Sequence, residues 1–390
     1  MTLPDTAAER RALADRLEAD GDLTSPAWRA AVEAVPRELF LQPGVFLPTD
    51  DGRWRPVTVL GTDPKEWAEI AYSDQSLVTQ LDGHLTADQV AQPVRGFPTS
   101  SSTIPKTVVS MIEALQMEDG QSVLEIGTGT GYSTALMCHR LGEDNVTSVE
   151  VDPDVAARAD AALETAGFST WTVTGDGLLG HPHRAPYDKV IATCAVRRIP
   201  YTWVRQTKPG GTILATVGSW TYGTALAKVT ARDDGTAEGR IIGRSSFMPA
   251  RSQAATPLAG DLSARAAYAD TERHTPIAPQ LLQKWTPAFL AQLATPGAQL
   301  VTAVADGGEQ TVYLFDAERE SFAQLNDNGH GWTVRQGGPI ALWDAIEDAL
   351  IAWQEAGRPD LSVVRLQITP QAHTYRIGEK PALRWEHRVA

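Results

Sequence analysis

Three glycines alternate in the run GTGTG at 127–131, after the apolar stretch SVLEI and before the helix-like YSTALMCHRLG. Small residues at a strand-to-helix junction let the backbone approach a ligand closely at the carboxyl end of a sheet. Gly127, Gly129 and Gly131 do not follow the G-x-G-x-x-G spacing of dinucleotide sites. Acids stand at successive strand ends. Glu125 lies just before the glycines, Glu150 closes the next apolar run, and Asp176 sits between Gly175 and Gly177 after the third. A carboxylate at 150 can accept hydrogen bonds from both hydroxyls of a ribose, and Asp176 suits a polar contact to an adenine ring. Three such acids would repel a pyrophosphate. They suit a ligand with an amino group, a ribose and no phosphates, which describes S-adenosylmethionine. Thr128, Tyr132 and Val151 flank these positions and complete the candidate cofactor contacts.

The elements that must carry this turn alternate in type. SVLEIG, VTSVEVD, STWTVTGDG, YDKVIATCA and TILATVG read as strands. YSTALMCHRLG and PDVAARADAALETAG read as helices, and IPYTWVRQTKPGG as a helix and turn. That order predicts a parallel α/β sheet. Upstream, residues 6–34 carry one or two helices broken near GDLTSP, and 43–66 form a Gly-, Pro- and Asp-rich β-like excursion around Trp54. Downstream, a hairpin turns at DDG, and SSFMPA is expected as a last edge element. The composition shifts near Arg251. The expected organisation is a core at 1–250, a linker or helical segment at 251–295, and a small α+β domain at 296–390. In that last part Trp343, Ile346, Leu350 and Trp353 make one apolar helix face.

Bulk properties bound the function. The chain of 390 residues has 42% hydrophobic residues and no apolar run near the roughly 20 residues of a spanning helix. Its first residues lack the apolar core of a signal peptide. With two cysteines, Cys138 and Cys194, neither a disulfide framework nor a thiolate metal site is expected. A cytoplasmic protein follows as the expectation. A net charge of −14 argues against nucleic acid as the main partner, and no membrane or metal partner is expected. His84 is expected in a surface loop, Cys194 in the core, and His181 and His183 in a polar turn.

VPRELF at 35–40, LEIGTGTGYSTAL at 124–136, GDG at 175–177, KPGG at 208–211 and FMPA at 247–250 occur in an order that resembles the protein-L-isoaspartate O-methyltransferase family. The resemblance covers roughly residues 25–250. It implies a Rossmann-like class I methyltransferase sheet with N-terminal helices, S-adenosylmethionine as cofactor, and methyl transfer to a peptide carboxylate. It also implies that a hydroxyl-bearing stretch before a long helix grips that carboxylate. Here that stretch is TSSSTIP, with Thr103, Ser102 and Ser101 as candidate catalytic residues. The plainer reading of the same stretch is a helix start capped by Thr103. Lys106 is expected to be solvated.

The 43–66 excursion, the altered stretch and the long C-terminal part depart from a housekeeping repair enzyme. They resemble an actinobacterial subgroup that methylates an aspartate of a macrocyclised ribosomal precursor peptide, such as a lanthipeptide or an ester- or amide-crosslinked peptide. There the ester collapses to an aspartimide. The C-terminal domain would then recognise substrate. The alternative is general repair of isoaspartyl proteins.

Overall fold

The computed structural model describes residues 5–220, 222–254, 264–265, 267–304, 310–327, 329 and 331–389. Its contacts divide the chain into two units, Met1–Thr193 with Arg205–Leu214, and Cys194–Val204 with Ala215–Ala390. This division is drawn differently from the sequence-based 1–250, 251–295 and 296–390, and part of the expected linker lies outside the described residues.

The first unit opens with α1 (Ala7–Ala19) and α2 (Pro26–Ala34), separated where GDLTSP was expected to break them. The 43–66 excursion is a hairpin, β1 (Gly44–Pro48) and β2 (Trp54–Thr58), followed by α3 (Pro64–Ala71). With β3 (Leu77–Leu81) and β4 (Pro98–Ser102) it forms a sheet of order β2-β1-β3-β4. Then α4 (Pro105–Leu115) leads to β5 (Val123–Ile126), α5 (Tyr132–Leu141), β6 (Val146–Glu150), α6 (Pro153–Thr165) and β7 (Trp171–Thr174). β8 (Tyr187–Val196) and β9 (Thr207–Val217) follow, their last residues counted with the second unit, as is α7 (Tyr201–Arg205) up to Val204. Strand order here is β9-β8-β5-β6-β7, and β5 pairs in parallel with both β6 and β8. Chain order thus reverses beside β5, the place where open α/β sheets bind ligands. All four residues of β5 are buried, so its carboxyl end is a rigid mount.

The second unit holds antiparallel strands in two sets. One has the order β10 (Ala225–Ala231), β11 (Ala237–Arg244), β17 (Arg365–Ile368), β18 (Ala372–Arg376), β19 (Arg384–Arg388). The other is built from β12 (Thr271–Thr275), β13 (Gln299–Val304), β14 (Gln310–Asp316), β15 (Ser321–Asp327) and β16 (Trp332–Gly337). Its order is β12-β16-β15-β14-β13. Helices α8 (Trp285–Ala294) and α9 (Leu342–Glu355) complete the unit. The expected apolar face of α9 is buried, and the Trp343 indole donates to Thr275 Oγ1 at 2.9 Å.

Three local expectations need correction. The segment KPGG belongs to β9, not to a turn, and α7 is only a single short helix. A Cβ at Gly211 would stand 2.8 Å from the Asp188 carbonyl oxygen, so that glycine permits close strand approach and does not end a helix. SSFMPA makes an isolated bridge, with the Ala195 N–H donating to the Met248 carbonyl at 2.8 Å, and no strand. The strands of 296–390 belong to two sheets, because β17–β19 extend the β10–β11 hairpin.

Candidate active site

The glycine turn leaves β5 with positive φ at all three glycines, +96° at Gly127, +56° at Gly129 and +89° at Gly131. Side chains rarely adopt this region, and a Cβ at Gly127 would meet Thr193 Oγ1 at 2.9 Å. Thr193, on β8, donates to the carbonyls of Ile126 and Gly127 and so fixes the start of the turn.

Glu150 ends β6 beside it. Its Oε2 accepts from the Gly129 N–H at 2.9 Å and its Oε1 from the Asp152 N–H at 3.1 Å. Each oxygen keeps a second lone pair for a ligand. The next residue, Val151, is 39% exposed, an apolar surface next to a carboxylate. Asp152 then caps α6, accepting from Asp154 N at 2.9 Å and Val155 N at 3.2 Å, while its other oxygen accepts from Gln80 on β3. Asp176 begins a short 3-10 turn and accepts from the Leu178 N–H at 3.0 Å. Gly175 donates to the Glu150 carbonyl at 2.8 Å, which brings the third strand end to the second. A Cβ at Gly177 would strike Ile126 at 2.5 Å, so the GDG run packs on the end of β5.

Glu125 stands apart from this set. It is fully buried, and its oxygens accept from Ser133, from Thr134 at 2.5 Å and from Ser148 at 2.8 Å. Burial pushes its carboxyl above the usual range, against the pull of the three hydroxyls. It ties β5 to the first turn of α5 and to β6. Thr128 is likewise buried, bonded to Ser148 Oγ at 2.6 Å. Tyr132 is buried against Phe40 and Arg37, with burial pushing its phenol up to about 12.

The hydroxyl stretch ends β4. The Ser101 carbonyl oxygen lies 3.6 Å from where a Cβ of Gly129 would stand, so this strand end borders the glycine turn. Ser101 and Thr103 are half-buried. Ser102 is 2% exposed and its hydroxyl has no hydrogen-bond partner. Thr103 does not cap α4. The N-cap is Ile104, whose N–H donates to Ser76 Oγ at 3.1 Å, with Pro105 in the first helical position. A cavity of about 290 Å³ adjoins the turn, bordered by Thr79, Ser100, Gly129, Thr130 and Arg158.

Arg37 of VPRELF carries a role that sequence reading missed. It is fully buried, and its guanidinium donates to the carbonyls of Ala71 at 2.5 Å and Thr103 at 3.2 Å, and more distantly to those of Ser73, Gln75 and Ser102. Burial lowers it to about 10. It pins the hydroxyl stretch to the segment after α3. A charged Arg37–Glu38 pair set between Val35-Pro36 and Leu39-Phe40 in a short motif was the available signal.

Other singled-out residues lie elsewhere. Lys106 pairs with Asp22 at 3.1 Å and Asp20 at 3.7 Å, half-exposed as expected. His84 is exposed in a turn, its Nδ1 2.9 Å from the Asp82 carbonyl. His181 and His183 share a 3-10 turn with ring centroids 5.5 Å apart. Cys194 is half-buried within β8, where the core was expected. No helix among the described residues is long and apolar enough to cross a membrane.

Comparisons with known proteins converge. The family model for protein-L-isoaspartate(D-aspartate) O-methyltransferase (PCMT) matches residues 64–255. The chain is 33% identical over 211 residues to the protein-L-isoaspartate O-methyltransferase of Ignicoccus hospitalis, covering 54% of this chain and 82% of that protein. It is 30% identical over 272 residues to the one from Hyperthermus butylicus, covering 67% and 93%. A solved structure titled protein-L-isoaspartate O-methyltransferase matches 97% of this chain and 99% of its own, with a TM-score of 0.53 and 22% identity, a likeness of fold.

Proposed function

Since the chain belongs to the protein-L-isoaspartate O-methyltransferase family and is an S-adenosylmethionine-dependent carboxyl O-methyltransferase, we propose that its substrate is an aspartate side chain of a macrocyclised ribosomal peptide. The observation that carries a transfer at this place is the Ser101 carbonyl beside Gly129, which brings a hydroxyl-rich strand end to the cofactor turn. The pieces present fit the cofactor: Glu150 has lone pairs for the ribose hydroxyls, Val151 offers an apolar edge to an adenine, and the glycines leave room for the amino acid tail.

The cofactor supplies an electrophilic methyl group. A carboxylate, with a reference pKa near 4, is already the nucleophile at neutral pH, so no general base is needed. The residues of the chain orient. Thr103 and Ser101 donate to the carboxylate oxygen that does not attack, and a substrate carboxylate would give the orphaned Ser102 hydroxyl its acceptor. Holding the attacking oxygen in line is worth roughly 7–11 kcal/mol of barrier. The ester formed is open to attack by the following backbone nitrogen, which expels methanol and closes the succinimide.

Two features favour the tailoring reading over general repair. Ile104, before Pro105, belongs to the altered hydroxyl stretch in which the chain resembles the tailoring subgroup. Phe97, at the head of β4, is 82% exposed on a backbone held by Asp82, an aromatic anchor for a constrained peptide. The C-terminal part does not discriminate, because the fold likeness to a chain titled as the isoaspartyl enzyme spans it.

The deciding experiment incubates the protein with cofactor and either a linear isoaspartyl peptide or a macrocyclised aspartyl peptide, followed by mass spectrometry. Gain of a methyl group and then loss of methanol on the macrocycle is expected. Methylation of the isoaspartyl peptide alone would establish the repair enzyme instead.

A further inference from the structure

Five strands of the second unit each place one basic residue in register. Lys228 stands opposite Arg240, Arg240 opposite Arg365, Arg365 opposite Arg376, and Arg376 opposite Arg384. Directly opposed residues share a face, so these cations form one row across β10, β11, β17, β18 and β19. The four arginines are exposed, while Leu366 and Tyr375, their neighbours on the opposite face, are buried.

Like charges directly opposite one another destabilise a sheet, so setting these cations in register does not itself stabilise the fold. Arg376 pairs with Glu379 at 2.6 Å and Arg384 with Glu386 at 3.6 Å, both solvent-facing. Among the described residues no carboxylate lies within ion-pair distance of Arg240 or Arg365. A hollow of about 720 Å³ lies over this face, bordered by Arg365, Arg376, Lys380 and Arg384 together with the acids Glu238 and Glu379. The concentration is local, since the whole chain carries −14.

We propose that this row docks an extended acidic peptide segment. The identification rests on the reading of a peptide as substrate. Adjacent strands are about 4.8 Å apart, so the row is roughly 19 Å long and would meet about three carboxylates at alternate positions of an extended chain. The adjoining register row is Glu238, Gln367, Thr374 and Glu386. Its central amide and hydroxyl suit a peptide backbone, and its terminal acids would oppose a continuing phosphate chain. Neither row offers an aromatic ring for base stacking, which single-strand nucleic-acid sites use together with their cations. Arginine forks match carboxylates bidentately.

The test is fluorescence anisotropy on the full chain, without cofactor. The probe is a labelled peptide with glutamate at alternate positions, beside its glutamine counterpart and a single-stranded oligonucleotide. The glutamate peptide is expected to bind saturably and the glutamine peptide not to bind. Arg365→Glu with Arg376→Glu should weaken binding at least about tenfold, as should raising salt from about 0.05 to 0.5 M. Arg365→Gln with Arg376→Gln serves if the charge reversal does not fold. Unchanged affinity in a folded double variant overturns the proposal, as does tighter binding of the oligonucleotide. The two readings separate cleanly. If no peptide is methylated while the glutamate probe still binds, the substrate reading fails and the row stands. If methylation is intact and the probe does not bind, the row fails alone.

Discussion

Glu150 holds the turn and, on the proposed reading, the ribose with the same two oxygens. Glu150→Ala removes charge-assisted hydrogen bonds worth about 1.5–3 kcal/mol each. Calorimetry should therefore show cofactor affinity lowered at least roughly tenfold. Thr103→Ala tests the other half of the site. Since Ile104 is the N-cap, the substitution removes no cap, and the melting temperature should hardly move. Turnover should fall while cofactor affinity stays, and equal turnover would remove Thr103 from the site. The contrast between Glu150 and Glu125 shows how far residue types can be read. Both are acids near a strand end, but Glu125 precedes Ile126 and turns inward to Ser133, Thr134 and Ser148. The two hydroxyls opening α5 were visible as neighbours in sequence. That they face Glu125 depends on how α5 returns over β5, which one strand's pattern does not encode. Arg37 was hidden for a like reason, since its carbonyl partners lie up to 66 positions away.

Regular elements were readable where burial is periodic. β5, β6 and β8 sit inside a parallel sheet and read as apolar runs, and the spacing of α9 maps onto its buried face. β12 was invisible because TERHT is mostly exposed and carries no alternation. The pairing of β18 with β19 has a consequence of its own. It sets His373 opposite His387 on the covered face, both buried, with Arg198 nearby adding to the cost of charging them. Burial lowers His373 to about 3 and lowers His387 as well. From about pH 6.5, the unfolded value, down toward 3, the unfolded chain binds more protons than the folded one. The stability due to these neutral rings is thus present above about pH 6.5 and lost as pH falls through that window. Urea unfolding should show a lower midpoint at about pH 5 than at pH 7. In His373→Phe the difference between the two pH values should shrink, and an unchanged difference would remove His373 as its source.

At the scale of the molecule, every residue proposed to hold the cofactor lies between 127 and 177, within the first unit. By motif order alone the methyltransferase part closes near residue 250, which implies that a fragment ending there is soluble. The sheet register implies otherwise. β11 pairs with β17 from Ala237 opposite Ile368 to Arg240 opposite Arg365, and the Ile241 N–H donates to the Val364 carbonyl at 3.0 Å. Cutting at 250 removes every one of these partners. It leaves β11 as an edge with open donors and acceptors, a template for pairing between copies. It also uncovers Ala237 and Ile241, both fully buried in the intact chain. The fragment is expected to aggregate, eluting in the void volume or staying in the pellet, while the full chain is well dispersed. A second fragment, with surface-facing lysines placed along β11 to blunt the edge, should recover solubility and bind S-adenosylhomocysteine, because the glycine turn and its acids are intact. If the plain fragment is monodisperse and binds the cofactor product as tightly as the full chain, then β17–β19 contribute nothing that the first 250 residues need.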